Sequence, residues 1–308
     1  MSTISIWSED IVTAKNLASC LDGDIIFINT HMDFTGGILL VPFARIIDNL
    51  IDHIIMNSID KTNLHIFDIT PSNNAIKINA QQFTSNPIIY NLFYDGMWQK
   101  PVKGMYWKCN DEIFANATND DIRRCVKSAE KGFEIWHAYT IASRIEILSK
   151  LAKTLYYREF LLSTLISKCM EFACLYENSN GYCTLEEKYE LIITRKPKGI
   201  IILKEKNENT LFFRLMQSLL AGNSVIVIFN VNFCNLSQYF NMFSISGIPP
   251  GVINMLSSEN ITDLESRLCG TEYSIYAKRF FSEGNLIEKY INSYMQLSLP
   301  KQVVHPLK

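Results

Sequence analysis

Apolar residues follow two kinds of pattern along the chain, and together these predict alternating strands and helices. The clearest stretch runs from 197 to 254, where Pro-Lys-Gly-Ile-Ile-Ile-Leu, Ala-Gly-Asn-Ser-Val-Ile-Val-Ile-Phe and Gly-Ile-Pro-Pro-Gly-Val-Ile-Asn are separated by helix-length segments. Uninterrupted runs of Ile and Val that alternate with helices predict βαβ units and a parallel sheet buried on both faces. The fold class is therefore α/β, with a parallel Rossmann-type sheet flanked by helices. Ligands of such sheets bind outside the carboxyl ends of the strands.

The first part of the chain predicts a helix followed by a strand. Residues 8–21 have helical apolar spacing, and Ser8 is the predicted N-cap. Residues 24–29 then read as a buried strand. Helical spacing returns at 44–58, and the polar, Asn-rich residues 59–87 are the predicted linker.

A second segment opens with a hairpin at 90–98, because Asp95-Gly96 lies between two aromatic runs. The elements predicted around the βαβ stretch are helices from Thr118, at 143–155, at 159–176 and at 261–268, strands at 187–195 and 273–277, and an extended segment at 298–307.

Composition narrows the class of protein. The chain has 308 residues, of which 48% are hydrophobic and 19% charged, as in a globular protein. A formal net charge of −2 gives no attraction to nucleic acid, and we expect no membrane span because no apolar run approaches about 20 residues. The first ten residues lack the pattern of a signal peptide, and the eight cysteines are scattered, so we expect reduced thiols and a cytoplasmic location.

Several motifs resemble the aldehyde dehydrogenase superfamily. Residues 7–10 and 23–31 resemble the helix and strand near the end of such an enzyme, and Gly36-Gly37 falls at the family's Gly-Gly turn. Residues 90–98 resemble the hairpin that starts a fresh copy, and 121–151 resemble the early helices. The match at 247–254, Gly-Ile-Pro-Pro-Gly-Val-Ile-Asn, is the most specific.

The order of these motifs resembles the C-terminal portion of aldehyde dehydrogenase family 16 proteins. The resemblance implies that 1–58 is the end of a first copy, 59–87 a linker, and 88–297 a shortened, degenerate nucleotide-binding-type domain of a second copy. It also implies that 298–308 is an oligomerisation-like strand, attached with no catalytic domain before it, so the catalytic domain is missing from the second copy.

The family's reaction uses a cysteine nucleophile, an asparagine that holds the oxyanion, a glutamate base and NAD. Counting from Gly199 places Glu208 at the oxyanion asparagine, and counting back from Gly222 places Glu205 there. Either carboxylate would repel a developing oxyanion. Asn207 and Asn209 are neighbours, so a shifted alignment is the alternative.

The NAD-contacting groups of the family also have no counterparts. Its Lys-Pro-Ser-Glu, which holds the ribose, corresponds to 228–231, where Ile228 and Val231 cannot hydrogen-bond hydroxyls. Its glycine-containing turn near the pyrophosphate corresponds to 276–279, which has no glycine. Lys278 or Arg279 could bind a phosphate by charge, but an exposed basic pair is usually solvated surface.

No other set of side chains predicts a site. The family's Gly-Gln-x-Cys and Glu-Leu-Gly-Gly segments are absent, and Cys269 is best explained as a structural thiol. The remaining candidates lack the paired spacing of zinc sites or are isolated: Cys169, Cys174 and Cys183, and His31, His53, His65, His137 and His305. We therefore predict no catalytic, cofactor-binding or metal-binding residues and no bound cofactor, although the family uses NAD.

Three hypotheses about function follow. The first is a catalytically inactive aldehyde dehydrogenase-like module that serves assembly or partner interaction, with a homo-oligomer or another protein as its partner and the strands at 90–98 and 299–307 pairing in a dimer or with a copy in the same chain. The second is a fragment of an NAD-dependent aldehyde oxidoreductase whose catalytic part lies outside this chain. The third, a module that binds some other metabolite in the vestigial crevice, has no residue pattern to specify its ligand.

Overall fold

The computed structural model describes residues 2–30, 88–109, 112–171, 173, 181–185, 189–270, 273–280 and 293–307. Its helices are α1 (Ile11–Cys20), α2 (Asn119–His137), α3 (Ile141–Leu155), α4 (Phe160–Glu171), α5 (Glu208–Leu220), α6 (Phe240–Ser246), α7 (Ile261–Cys269) and α8 (Tyr273–Phe280). Its strands are β1 (Thr3–Ile6), β2 (Ile25–Ile28), β3 (Ile88–Tyr90), β4 (Leu92–Tyr94), β5 (Met97–Gln99), β6 (Tyr106–Cys109), β7 (Glu112–Ala115), β8 (Gly181–Leu185), β9 (Tyr189–Pro197), β10 (Ile200–Leu203), β11 (Ser224–Phe229), β12 (Ile253–Ser257) and β13 (Ser298–Pro306). The predictions for 36–37, 44–58 and 59–87 lie outside the described residues.

The first helix begins later than the sequence predicted. The N-cap of α1 is Asp10, whose Oδ1 accepts from the amides of Val12 at 3.0 Å and Thr13 at 3.1 Å. Ser8 was the wrong choice, because its hydroxyl instead accepts from the Asp10 amide at 3.1 Å, one turn too early to cap the helix. Aspartate wins because a carboxylate also interacts favourably with the positive end of the helix dipole.

The βαβ prediction is confirmed by a five-stranded sheet, here called the central sheet, in the order β10-β11-β12-β4-β5. Strands β10, β11 and β12 are parallel, whereas β4 pairs antiparallel with both β12 and β5. The turn of the β4–β5 hairpin is Asp95-Gly96, with φ of 54° and 73°, as a two-residue hairpin turn of type I′ requires. The sequence therefore located both the parallel strands and the hairpin.

Both faces of the central sheet are buried against helices. Alternate residues of β11 divide between two clusters, since Val225, Val227 and Phe229 face one side and Ile226 and Ile228 the other. The first cluster is completed by residues of α3, α4, α5 and α6, and the second by residues of α2 and α7. This alternation explains why the strand reads as a continuous apolar run.

The second sheet, here called the outer sheet, contains the two ends of the described chain. Its order is β1-β2-β13-β9-β8, with β13 parallel to β2 and antiparallel to β9. The predicted extended segment is therefore an interior strand, paired on both sides within one chain. Of the two arrangements expected for it, the intramolecular one is present.

One predicted strand is a helix. Residues 273–277 belong to α8, and Tyr276 and Ala277 pack against the apolar cluster beside α5. The alternation of Tyr, Ile and Ala suggested a strand, but tertiary packing of one helical face overrides so short a pattern. The sequence also missed β6, β7 and β8, of which β6 and β7 form a three-stranded sheet with β3.

A close crossing joins α2 to the turn before β12. A Cβ added to Gly132 would lie 2.1 Å from the carbonyl carbon of Gly251, so only glycine fits the helix at this point. Gly251 itself has a φ of 82°, which favours glycine. Beside the crossing, Asn254 is fully buried and its Oδ1 accepts from the Ser128 hydroxyl at 3.1 Å. The Gly-Ile-Pro-Pro-Gly-Val-Ile-Asn motif therefore has a structural role in this chain.

Candidate functional site

The carboxyl ends of β10, β11 and β12 lie at one edge of the central sheet, where ligands of such folds bind. Each strand is followed by a polar residue, Lys204 after β10, Asn230 after β11 and Ser258 after β12. These loops form the candidate site, and their contacts decide whether polar groups are available to a ligand.

Lys204 is paired across the site with Glu265 of α7. Glu265 is 3% exposed, and its Oε2 accepts a hydrogen bond from Lys204 Nζ. The same ammonium lies 5.1 Å from the ring centroid of Phe233. Because a buried charge without a partner is costly, this ion pair holds the lysine in place, so its charge is already compensated within the protein.

Glu205, the first candidate for the oxyanion position, has a structural role. Its carboxylate accepts from Arg214 of α5, and its backbone oxygen accepts from the amide of Cys234 at 2.8 Å. The Cys234 thiol donates to the backbone oxygen of Lys206 at 3.1 Å. The loop after β11 is therefore tied to the loop after β10, across the ends of the two strands.

Glu208, the second candidate, is the first residue of α5. Its Oε1 accepts from the Tyr239 hydroxyl at 2.8 Å and from Gln238 Nε2 at 3.1 Å. Burial and the Glu208 carboxylate both raise the pKa of Tyr239, so this phenol remains a neutral donor. The carboxylate is thus engaged in joining α5 to the segment before α6.

The alternative candidates, Asn207 and Asn209, are placed differently from each other. Asn207 is the N-cap of α5, and its Oδ1 accepts from the amide of Thr210 at 3.0 Å. Asn209 lies exposed in the first turn of the same helix. A capping side chain cannot hold an oxyanion without releasing the helix end, which would cost about 1 kcal/mol.

The residues at the ribose-binding position of the family are divided between core and surface. Ile228 and Phe229 are fully buried, on opposite faces of β11. Asn230 turns its Oδ1 to the amide of Asn232 at 2.9 Å, and Val231 is 46% exposed. No side chain of Ile228 or Val231 can form a hydrogen bond, so this part of the site offers no polar group at the two positions.

The segment 276–279 lies within α8, so it does not form a turn at a strand end. Tyr276 directs its hydroxyl to the amide of Ile202, at 3.1 Å. The side chains of Lys278 and Arg279 lie outside the described part of the chain. The expectation of a strand followed by a turn at this point is therefore wrong, and a helix covers the edge of the sheet instead.

The thiols and imidazoles do not converge. Burial, followed by the charge of Glu265, raises the pKa of the Cys269 thiol to about 12, so the thiol is protonated at neutral pH. Cys169 is fully buried, and His137 stacks on Phe133 with ring centroids 4.8 Å apart. Cys174, the side chain of Cys183, His31, His53 and His65 lie outside the described residues. Among the residues with described positions, no group of three His, Cys, Asp or Glu side chains could hold a metal ion.

A second polar cluster lies where α1 packs on the outer sheet, and the sequence analysis missed it. Lys301 of β13 is 4% exposed, and its Nζ donates to the backbone oxygens of Ser19 at 2.8 Å and Leu21 at 2.6 Å. Burial lowers the pKa of Lys301, and nearby Lys196 adds to that effect. The ammonium satisfies carbonyls at the end of α1, where a positive charge is favoured. A lysine between apolar neighbours on a strand was the available signal.

Further ion pairs surround this cluster. Lys15 of α1 and Glu190 of β9 are joined by a 2.6 Å contact, and His305 Nδ1 lies 3.4 Å from the same carboxylate oxygen of Glu190. Lys196 lies 2.7 Å from Asp22 and 3.2 Å from Asp24. The segment before residue 30 is therefore joined to β9 and β13 by charges as well as by strand pairing.

The fold and the site define an α/β protein of the nucleotide-binding type, whose strand ends carry paired or apolar side chains. No family model matches the sequence. The chain is 23% identical over 202 residues to the N-succinylglutamate 5-semialdehyde dehydrogenase of Burkholderia thailandensis, over 56% of this chain and 41% of the relative. It thus spans about two fifths of the length of that curated relative.

Solved structures give the same family. A salicylaldehyde dehydrogenase from Pseudomonas putida, complexed with salicylaldehyde, matches 58% of this chain and 43% of its own at 17% identity, with a TM-score of 0.50. The 1-pyrroline-5-carboxylate dehydrogenase of Thermus thermophilus matches 56% and 40% at 18% identity, with a TM-score of 0.47. The chain resembles the aldehyde dehydrogenase superfamily in sequence and has its fold over about half of its length, as the motifs predicted. No helix among the residues described is long and apolar enough to cross a membrane.

Proposed function

We propose that this chain is a catalytically inactive aldehyde dehydrogenase-like module that serves assembly. In this proposal, residues 1–58 are the end of a first copy, 59–87 a linker, 88–297 a degenerate nucleotide-binding-type domain and 298–308 the strand that joins the two, as in the C-terminal portion of family 16 proteins. Its partners are a second copy or another protein, and no resident cofactor is required.

The observation that carries the proposal is the position of β13. This strand pairs with β2 from the first proposed unit over three residues and with β9 from the second over nine. Lys301 of the same strand holds the end of α1, so the contact combines backbone hydrogen bonds with a buried charge. A strand saturated on both sides gives a stable join within one chain.

The contacts at the carboxyl ends of β10 and β11 support the absence of chemistry. A family member needs free polar groups there, whereas Lys204, Glu205 and Glu208 each have a protein partner. Ile228 packs in the core at the ribose-binding position. These contacts favour a site that retains the fold and lacks cofactor binding and catalysis.

The join can be tested by cutting the chain at its predicted linker. A protease site inserted within 59–87 would separate residues 1–58 from the rest, and we expect both pieces to co-elute in size-exclusion chromatography after cleavage. Lys301→Glu should release the first piece, because a carboxylate would face the carbonyl oxygens of Ser19 and Leu21. Lys103→Glu, an exposed charge reversal, is the matched control and should not. Separation of the uncut sequence's pieces without any substitution would contradict the join.

A second candidate is a fragment of an NAD-dependent aldehyde oxidoreductase, which converts aldehydes to carboxylic acids. The observation that favours it is the chain's coverage of only 41% of the Burkholderia thailandensis relative. Calorimetric titration with NAD distinguishes the two candidates, since we expect no binding by this chain at micromolar concentrations. Binding in that range would overturn the loss of the cofactor site, and aldehyde turnover by this chain would overturn the inactive module.

The oligomeric state is a separate test of the assembly role. Light scattering on the purified chain should give a mass above that of the 35.4 kDa monomer if a second copy is the partner. A monomer would leave another protein as the remaining partner class, and capture by a full-length relative with a complete first copy would then be the measurement.

A further inference from the structure

Strand β10 ends the central sheet with a sequence that is well suited to further pairing. It reads Ile-Ile-Ile-Leu and pairs with β11 on one side, in the parallel register Ile200 to Ser224 through Leu203 to Val227. Among the strands that the structure describes, none pairs with its other side. An apolar edge rich in β-branched residues is a template for pairing with another chain.

A side chain occupies the backbone donor at the middle of this edge. The amide of Ile202 donates to the hydroxyl of Tyr276 at 3.1 Å. The neighbouring hydrogen bond of the β10–β11 ladder, from Ser224 N to Gly199 O at 3.1 Å, faces the other way, as alternation along a strand requires. The tyrosine hydroxyl therefore takes the place that a carbonyl of a further strand would occupy.

Packing holds Tyr276 at this position. The partly buried ring packs against both apolar clusters, which lie on opposite faces of the central sheet. The next residue, Ala277, is 9% exposed and belongs to the cluster beside α5. A side chain that touches both faces of a sheet must lie across its edge, so α8 covers the edge of β10.

We infer that α8 is an edge cap whose Tyr276 hydroxyl prevents β10 from pairing with β10 of a second copy. A second copy is the partner that fits, because the two edges are identical and can pair antiparallel about a twofold axis. Natural proteins protect such edges with a helix or loop. The inference concerns the central sheet and is independent of the function proposed for β13 in the outer sheet.

Hydrogen exchange tests the cap directly. In the unsubstituted chain, the Ile202 amide should be protected although no strand covers it. Tyr276→Phe keeps the ring and removes the hydroxyl, so the Ile202 amide should exchange about five- to tenfold faster, as expected for loss of one hydrogen bond. Tyr106→Phe removes a hydroxyl that donates to Asn91 on the surface and should leave the Ile202 amide unchanged.

Light scattering tests the consequence for association. The Tyr276→Phe chain should show a concentration-dependent doubling of mass relative to both the unsubstituted chain and Tyr106→Phe. Unchanged exchange at Ile202 would overturn the cap, and faster exchange with an unchanged mass would overturn the role against pairing. An unprotected Ile202 amide in the unsubstituted chain would overturn both, even if the variant failed to fold.

Discussion

Gly132→Ala offers a prediction whose sign depends on tertiary structure. In an isolated helix the substitution would stabilise, because alanine exceeds glycine in helix propensity by about 1 kcal/mol. In this protein the added Cβ would lie 2.1 Å from the carbonyl carbon of Gly251, 2.3 Å from its oxygen and 2.4 Å from the amide nitrogen of Val252. All three atoms belong to the backbone, so no side-chain rotation can relieve the clash.

The magnitude follows from the displacement required. Carbon atoms in contact are about 3.5 Å apart, so α2 and the turn before β12 would have to separate by more than 1 Å. Overpacking typically costs about 1–3 kcal/mol and occasionally more, and a backbone clash belongs at the upper end. After the gain in helix propensity, we expect a net loss of about 2 kcal/mol, or roughly 4–8 °C in Tm for a chain of this size.

Thermal and urea unfolding measured by circular dichroism would check this value. Lys131→Ala, at the exposed neighbouring position of α2, is the matched control and should stay within about 0.5 kcal/mol of the unsubstituted chain. If Gly132→Ala were as stable as the unsubstituted chain or more so, α2 could not approach the turn as closely as the structure has it.

Three further predictions concern buried or paired charges. Asp121→Asn should destabilise by about 2 kcal/mol in urea unfolding, since the fully buried carboxylate accepts from the amides of Thr118 and Val102 at 2.9 Å each. Asp24→Asn should destabilise near neutral pH: the Ser2 amide, and then Lys196, lower the pKa of Asp24 below 3.8, so its contribution is present above that pH and is lost on further acidification. Unfolding curves of the two chains should therefore converge below pH 3.8, and a constant gap would contradict the linkage. Lys301→Met should cost about 1–3 kcal/mol in urea unfolding, because it removes the donor from two carbonyls of the α1 end, and an unchanged midpoint would show that water replaces the ammonium.

Much of the candidate site could be located from the sequence, but its contacts could not. The spacing of Gly199 and Gly222 placed Glu205 and Glu208 at the strand end, and the structure has both there. Their partners, Arg214 and Tyr239, are 9 and 31 residues away. Glu265, which pairs with Lys204 over 61 residues, gave no local signal at all. Long-range ion pairs leave no periodicity, since only the folded chain brings their members together.

The sequence by itself determined the elements whose burial is complete. Strand β11 is apolar throughout because both of its faces are covered, and the β4–β5 turn needs Asp95-Gly96 because both residues have positive φ. Only the tertiary structure decided that 273–280 is helical and that β13 lies between β2 and β9. The physical reason is the same in both cases: a short amphipathic segment is compatible with either a helix or a strand and with several neighbours, and the surface it packs against selects one of them.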